Sequence, residues 1–399
     1  MGYGAHAALP YVERHDHASH DAHDQAHRMT RHALASLLTL TALIAACGAE
    51  PTNDPDVRLT DAAADAGEDV SEAPDLGTSD VGETPDLVED ADDAGDEPDA
   101  ELPKTFMSDY PLDVRFAESG TYDPVDHVFY VGSLETGGVY RVDARSGEAS
   151  DFYTEPLEGK WWTLGLDVDP DRRLLMVCSM SDLRDVGEGD PSNLGYILKF
   201  DLTSGELLQR FDLSQTFPDA NCADVAFADD GDAYVADRAH PNVYRITAAG
   251  EVSLFATGEP LTGQVVGQNA IIVLPDQSGL LSVVYLPSRL AHISLADGSV
   301  TEVAVEGDFF DFVPPLSGAD GMTWSGDAAL IAFTSQLNRI TPTSDDWSTA
   351  SSETVDVEVG ITDVVHTPIG DYLLNGQAFT FAVQGDPDPT VLSRFVGEF

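Results

Sequence analysis

Asp224-Val225-Ala226-Phe227, a turn at Asp230-Gly231, then Ala233-Tyr234-Val235-Ala236-Asp237 and Val243-Tyr244-Arg245-Ile246 form the stretch that decides the fold. Short β-rich runs are separated by residues that favour turns, which is the pattern of antiparallel strands joined by tight connections. The same phrase recurs on both sides. Upstream it reads Gly120-Thr121-Tyr122-Asp123-Pro124, Val128-Phe129-Tyr130-Val131 and Val139-Tyr140-Arg141-Val142-Asp143, then Leu166-Asp167-Val168-Asp169-Pro170, Leu174-Leu175-Met176-Val177 and Tyr196-Ile197-Leu198-Lys199-Phe200-Asp201. Downstream, a unit runs from Ala270-Ile271-Ile272-Val273 through Leu280-Leu281-Ser282-Val283-Val284 to Leu290-Ala291-His292-Ile293. Another starts at Asp320-Gly321-Met322 and reaches Leu337-Asn338-Arg339-Ile340, and the last starts at Ile361 and contains Asp371-Tyr372-Leu373-Leu374.

About six units at intervals of roughly 40 to 60 residues, each with an inner strand, a buried strand and two outer strands, match the blades of a propeller. One blade cannot bury both of its faces, so the blades must close into a ring. Residues 106–116 and 391–399 are the candidates for closing it together. A two-sheet sandwich leaves the repeated phrase unexplained. The expected fold class is therefore all-β, a six-bladed β-propeller over 105–399, preceded by a disordered acidic tether.

That tether is residues 48–104, where Asp, Glu, Ala, Pro and Gly alternate, as in Asp90-Ala91-Asp92-Asp93-Ala94-Gly95-Asp96-Glu97. Such a segment buries too little apolar surface to offset its ordering entropy, and its like charges extend it. Its acids bind calcium only loosely, because the spacing lacks the glycine-centred EF-hand loop. Before it, residues 29–47 read as an export signal: Met29-Thr30-Arg31-His32, an apolar run of about 14 residues, then small residues. The run is shorter than the roughly 20 residues of a membrane span. Leu43-Ile44-Ala45-Ala46-Cys47-Gly48 resembles the bacterial lipobox, which makes Cys47 the lipidated residue and places the chain in the bacterial cell envelope. No aspartate follows Cys47, so the outer membrane is the expected destination. An ordinary signal peptide with an incidental cysteine is the alternative. Residues 1–28 carry His6, His15, His17, His20, His23 and His27, which suit a transition metal; a start codon assigned upstream of the true Met29 is the favoured reading.

The formal net charge of −52 at pH 7 excludes nucleic acid as a partner and leaves the lipid anchor as the only expected membrane contact. Cys47, Cys178 and Cys222 are the only cysteines, too few for a disulfide scaffold or a structural zinc site. Cys178 and Cys222 either pair or remain buried thiols. No Ser-His-Asp or Cys-His arrangement and no phosphate-binding glycine loop stands out.

In a propeller the start of each inner strand faces the central channel. The residues there are Glu118, Trp162 or Thr163, Asn221 to Asp224, Asn269, Asp320, and Thr362 or Asp363. Carboxylates and amides are hard oxygen donors, suited to calcium or, with stricter geometry, magnesium. At these positions the sequence resembles the gluconolactonase, senescence marker protein and luciferin-regenerating enzyme family over most of 113–385. The resemblance rests on Ala117-Glu118-Ser119-Gly120-Thr121-Tyr122-Asp123-Pro124, on Gln268-Asn269-Ala270-Ile271-Ile272 with Pro275-Asp276, and on Ala319-Asp320-Gly321-Met322. It implies Glu118, Asn269 and Asp320 as ligands of one divalent ion, calcium first, with Asp320 also the catalytic base and Asp224 a second catalytic carboxylate. The third-blade asparagine-aspartate phrase of the family reads Ala223-Asp224 here. The substrate-facing amide is therefore missing unless Asn221 replaces it; Trp162 is a further candidate to stack on substrate at the mouth.

The implied activity is calcium-dependent hydrolysis of lactones or related esters. The alternative is a non-catalytic propeller that binds a ligand or protein, with calcium serving stability only.

Overall fold

The computed structural model describes residues 106–154, 161–181, 195–263, 266–307, 309, 318–382 and 385–399. The expected signal with Cys47, the histidine-rich extension and the acidic linker lie outside the described residues. Among those described, no helix is long and apolar enough to cross a membrane.

The chain enters on β1 (Asp109–Leu112) and then builds sheets in sequence order. The first blade is β2 (Ala117–Asp123), β3 (Val128–Ser133), β4 (Val139–Asp143) and β5 (Ala149–Tyr153). The second is β6 (Trp161–Asp169), β7 (Leu174–Ser181), β8 (Gly195–Asp201) and β9 (Leu207–Asp212), and the third is β10 (Cys222–Phe227), β11 (Ala233–Asp237), β12 (Asn242–Ile246) and β13 (Val252–Thr257). The fourth comprises β14 (Gln268–Val273), β15 (Gly279–Val284), β16 (Arg289–Ser294) and β17 (Val300–Glu302). After β18 (Ala304–Glu306), the fifth follows as β19 (Ala319–Ser325), β20 (Ala328–Phe333), β21 (Gln336–Pro342) and β22 (Thr349–Asp356). The sixth is β23 (Asp363–Thr367), β24 (Gly370–Leu374) and β25 (Thr390–Arg394), with β1 as its outer strand. The protein is a six-bladed β-propeller, as its repeats imply.

The burial pattern follows from stacking blades face to face. Every residue of β3, β15 and β20 is buried, because these second strands have a neighbouring blade on each side. Outer strands such as β9 keep most of their residues exposed. Apolar side chains therefore collect in clusters between blades, as where Val128, Leu166, Val177 and Phe200 meet. One addition to the expected four strands is β18, which pairs in parallel with β22 as a fifth strand, Ala304 opposite Thr349.

Ring closure uses the two segments expected from the sequence. β1 pairs antiparallel with β25, from Asp109 opposite Ser393 to Leu112 opposite Thr390. Tyr110 is fully buried there. Its hydroxyl donates to the Ala144 carbonyl at 2.7 Å and accepts from the Met107 amide at 3.1 Å. The Tyr372 hydroxyl donates to the Met107 carbonyl at 2.8 Å, and the Tyr110, Phe129 and Tyr372 rings pack with centroids 5.2 to 5.6 Å apart. Blades 1 and 2 are further joined by Arg173, whose Nη1 donates to Asp123 at 2.8 Å and whose Nη2 donates to Asp126 at 2.7 Å. Cys178 of β7 and Cys222 of β10 are disulfide-bonded with Cα atoms 5.8 Å apart, which resolves the choice left open by the sequence and links blades 2 and 3.

Truncating the closing aromatic should weaken the whole ring. Tyr110→Ala is expected to cost about 3–5 kcal/mol in denaturant unfolding, as for other buried aromatics; a loss under about 1 kcal/mol would show that blade 6 closes without it.

Candidate functional site

The residues that face the channel are set there by a repeated irregularity. In five blades the pairing of the inner strand with the next slips by one residue: between Ala117 and Gly120, Thr163 and Leu166, Cys222 and Asp224, Gln268 and Ala270, and Ala319 and Met322. A bulge of this kind re-aims a side chain. Aligning the bulges puts Glu118, Leu164, Ala223, Asn269 and Asp320 at one equivalent position. The three candidate ligands thus come from blades 1, 4 and 5 at the same structural place. They sit as the second residue of their strands, one or two residues inside the boundaries read from the sequence, because the bulge extends pairing to Ala117, Gln268 and Ala319.

Asp224 stands one position further along, and this changes its surroundings. Its Oδ1 accepts from the Val225 amide at 2.8 Å and its Oδ2 from the Ile271 amide of the next blade at 2.9 Å. Asp363 repeats the arrangement, accepting from Val364 at 2.8 Å and, across the ring closure, from the Gly120 amide at 2.9 Å and the Ser119 hydroxyl at 2.8 Å. Each of these aspartates faces a bulge glycine of the preceding blade. A Cβ on Gly165 would lie 1.9 Å from Asp224 Oδ1, and one on Gly321 1.9 Å from Asp363 Oδ1. Asp167 makes a related bridge, from Val168 at 2.8 Å to Phe227 of the next blade at 2.8 Å. These three carboxylates fasten adjacent blades around the axis.

A cavity of about 320 Å³ runs along that axis and is lined by Glu118, Asp167, Asp224, Asn269, Asp320 and Asp363. Burial dominates its electrostatics. It raises Asp167 to about 7 and Asp363 to about 6, even though the amide donors pull both down. Asp224 is raised well above the usual carboxylate range, again chiefly by burial. Glu118 is pushed to about 7 by burial, opposed by the positive charge of Arg238 and assisted by Asp363. Asp320 is raised further by burial and by the charges of Glu118 and Asp363.

At the mouth, where the inner strands begin, Asn269 Nδ2 donates a short hydrogen bond to Asp320 Oδ1. Glu118 Oε2 is buried and has no hydrogen-bond partner among the described residues. Two carboxylates and one amide are oxygen donors of the type calcium takes. Among the described residues no three His, Cys, Asp or Glu side chains are grouped tightly enough to hold a metal, so the amide is needed to complete this set. Asn269 would have to present its oxygen instead of its nitrogen, and the two ends of an amide exchange by a simple flip.

The structure thus brings Glu118, Asn269, Asp320 and Asp224 to one cavity. It places Asn221 and Trp162 outside the cavity wall. Asn221 is buried, with its backbone amide donating to Asp237 Oδ1 at 3.2 Å. Trp162 packs edge-on against Phe381, centroids 5.6 Å apart. Sequence reading missed Asp167 and Arg238. Asp167 left a signal, a lone acid within the apolar inner strand Leu164 to Val168. Arg238 left only its charge, in a chain with 19 basic residues against 71 acidic ones.

No family model matches the chain, and no curated protein matches it by sequence. Among solved structures it is similar to the major allergen Mala s 1 of Malassezia sympodialis, at 18% identity and a TM-score of 0.59, covering 72% of this chain and 95% of that one. A streptogramin B lyase matches at 14% identity and a TM-score of 0.48, over 73% of this chain and 87% of that one. The virginiamycin B lyase of Staphylococcus aureus, in complex with quinupristin, matches at 14% and 0.46, over 66% and 80%. The first likeness supports the propeller fold, and at these identities nothing finer follows.

Raised aspartates make stability depend on pH with a definite sign. Folded Asp167 keeps its proton up to about 7, whereas an unfolded aspartate loses it near pH 4. The folded chain therefore binds more protons in that window, and stability falls as pH rises through it. In EDTA the melting temperature should drop from pH 5 to pH 8, with a flatter slope in Asp167→Asn. An unchanged slope in the variant would remove Asp167 as the cause. Gly321→Ala should lower the melting temperature at every pH, because its Cβ meets the Asp363 carboxylate; an unaltered value would mean that the aspartate is not held there.

Proposed function

We propose that the channel mouth is a calcium-dependent site for lactones or related esters, in the manner of the gluconolactonase-like family, on a domain tethered to the bacterial envelope through Cys47. The observation that carries this reading is the orphaned Glu118 Oε2 beside the Asn269–Asp320 pair, all at one end of the acid-lined cavity. A buried carboxylate oxygen without a donor calls for a proton or a cation. Glu118, Asn269 and Asp320 would hold the ion, and its chemistry there is Lewis-acid polarisation of an ester carbonyl.

The chain's own residues supply the rest. Burial and the neighbouring acids raise the proton affinity of Asp320 in the ion-free site; a cation held there would keep it ionised, the form that can take a proton from water. Asp224 is tied to two backbone amides, so its contribution is to hold the Ala223–Asp224 bulge in place. A second reading is a propeller that binds without turnover. It is favoured by Ala223, which leaves a methyl group at the bulge position where the family carries an amide. The Cys178–Cys222 disulfide supports export, since such bonds persist in oxidising compartments.

Hydrolysis of a panel of aldonolactones, followed by acid release in calcium, tests the first reading. Wild type should turn over at least one lactone, and Asp320→Asn should lose about 100-fold or more, the scale of general-base catalysis. No turnover with calcium bound would favour the binding propeller. The anchor is tested separately: Cys47→Ala should move the protein from the membrane fraction to the soluble one, and an unchanged distribution would contradict lipidation.

A further inference from the structure

Arg238 lies at the end of the channel where the inner strands begin, beyond the residues that line the cavity, and no carboxylate is within ion-pair distance of it among the described residues. It follows β11, whose last residue Asp237 pairs with Cys222 at the start of β10, so it lies at the same end as Glu118, Asn269 and Asp320. Its backbone is pinned on both sides. The Arg238 amide donates to the Asn221 carbonyl at 2.8 Å, and the Arg238 carbonyl accepts from the Gly267 amide at 2.8 Å. A Cβ on Gly267 would come within 2.6 Å of that carbonyl, so the close approach of blades 3 and 4 depends on this glycine.

The side chain is half-buried and reaches towards blade 2, where Nη1 lies 3.8 Å from Met180 Sδ. Among the described residues this sulfur is its only side-chain hydrogen-bond partner, and no acid lies within ion-pair distance. A guanidinium carries five N–H donors in a planar fork, and a thioether is a weak acceptor. The other arginines around the ring are used differently: Arg173 and Arg245 are paired with Asp123 and Asp232. Glu118 and Asp320 are near enough to act on Arg238 through space but do not touch it.

We infer that Arg238 is the anion anchor of the mouth, and that the channel's ligand carries a carboxylate which this guanidinium grips through two N–H donors. Bidentate pairing gives orientation as well as affinity. A carboxylate held at Arg238 would direct the remainder of the ligand towards Glu118 and Asp320. This ligand class rests on the proposed site being the functional one, but it requires neither hydrolysis nor calcium at Glu118.

The test is calorimetric titration of the full chain with gluconate and with sorbitol, a polyol of the same length without the carboxylate, each in calcium and in EDTA. Gluconate should bind and sorbitol should bind at least about 10-fold more weakly, a difference of about 1.4 kcal/mol. Arg238→Met, which keeps the packing against Met180, should abolish that preference. Arg238→Lys should retain part of it, because the charge remains while the fork is lost. The melting temperature of each variant checks folding. Calcium binding that persists in Arg238→Met separates this anchor from the metal site, and gluconate binding that persists in EDTA supports the anchor even if the calcium reading fails. Equal affinity for gluconate and sorbitol, or a well-folded Arg238→Met that keeps the preference, would overturn it.

Discussion

The ring depends on carboxylates that bridge one inner strand to the next. Asp224 takes amide hydrogens from blades 3 and 4, and Asp363 takes them from blades 6 and 1. Each bridge needs a residue without a side chain beside it, which Gly165 and Gly321 supply. A blade edge near the axis has few apolar neighbours, so its amides must be satisfied by something other than packing. A carboxylate that accepts from both sides does this for two blades at once. Its desolvation is the cost, visible as the raised proton affinity of Asp167, Asp224 and Asp363.

The same irregularity that makes room for the bridges creates the mouth. The bulge aims one side chain per blade at the axis, and its chemistry is free to vary because the next residue carries the structural duty. In blades 2 and 3 that side chain is Leu164 or Ala223; in blades 1, 4 and 5 it is Glu118, Asn269 or Asp320. The polar members therefore occupy one side of the ring, with Arg238 arriving from the loop after β11. Asymmetry within a repeated frame is how a propeller builds a site, and it explains why fold and function part company here.

Much of the frame was legible in the sequence. Turn pairs such as Asp230-Gly231, and the second-strand runs from Val128 and Leu280, marked the blades because both obey local rules. The closing pair β1–β25 was legible because unpaired strand-like segments remained at the two ends. The division of labour among acids was not. Asp224 and Glu118 look alike in sequence, and only the one-residue slip at the bulge shows that Asp224 belongs with Asp363. Pairing of Cys178 with Cys222 depends on two blades meeting, and Arg238 matters through the absence of a partner; neither is a property of local sequence.

These acids form two classes, bridges and mouth, and calcium titration of paired variants of the full chain separates them. Glu118→Gln should abolish calcium binding while leaving the melting temperature in EDTA unchanged or higher, since it removes a buried orphan charge. Asp224→Asn should lower the melting temperature and still bind calcium. The reverse outcome, with calcium binding lost in Asp224→Asn and kept in Glu118→Gln, would contradict the assignment and place the site deeper in the channel.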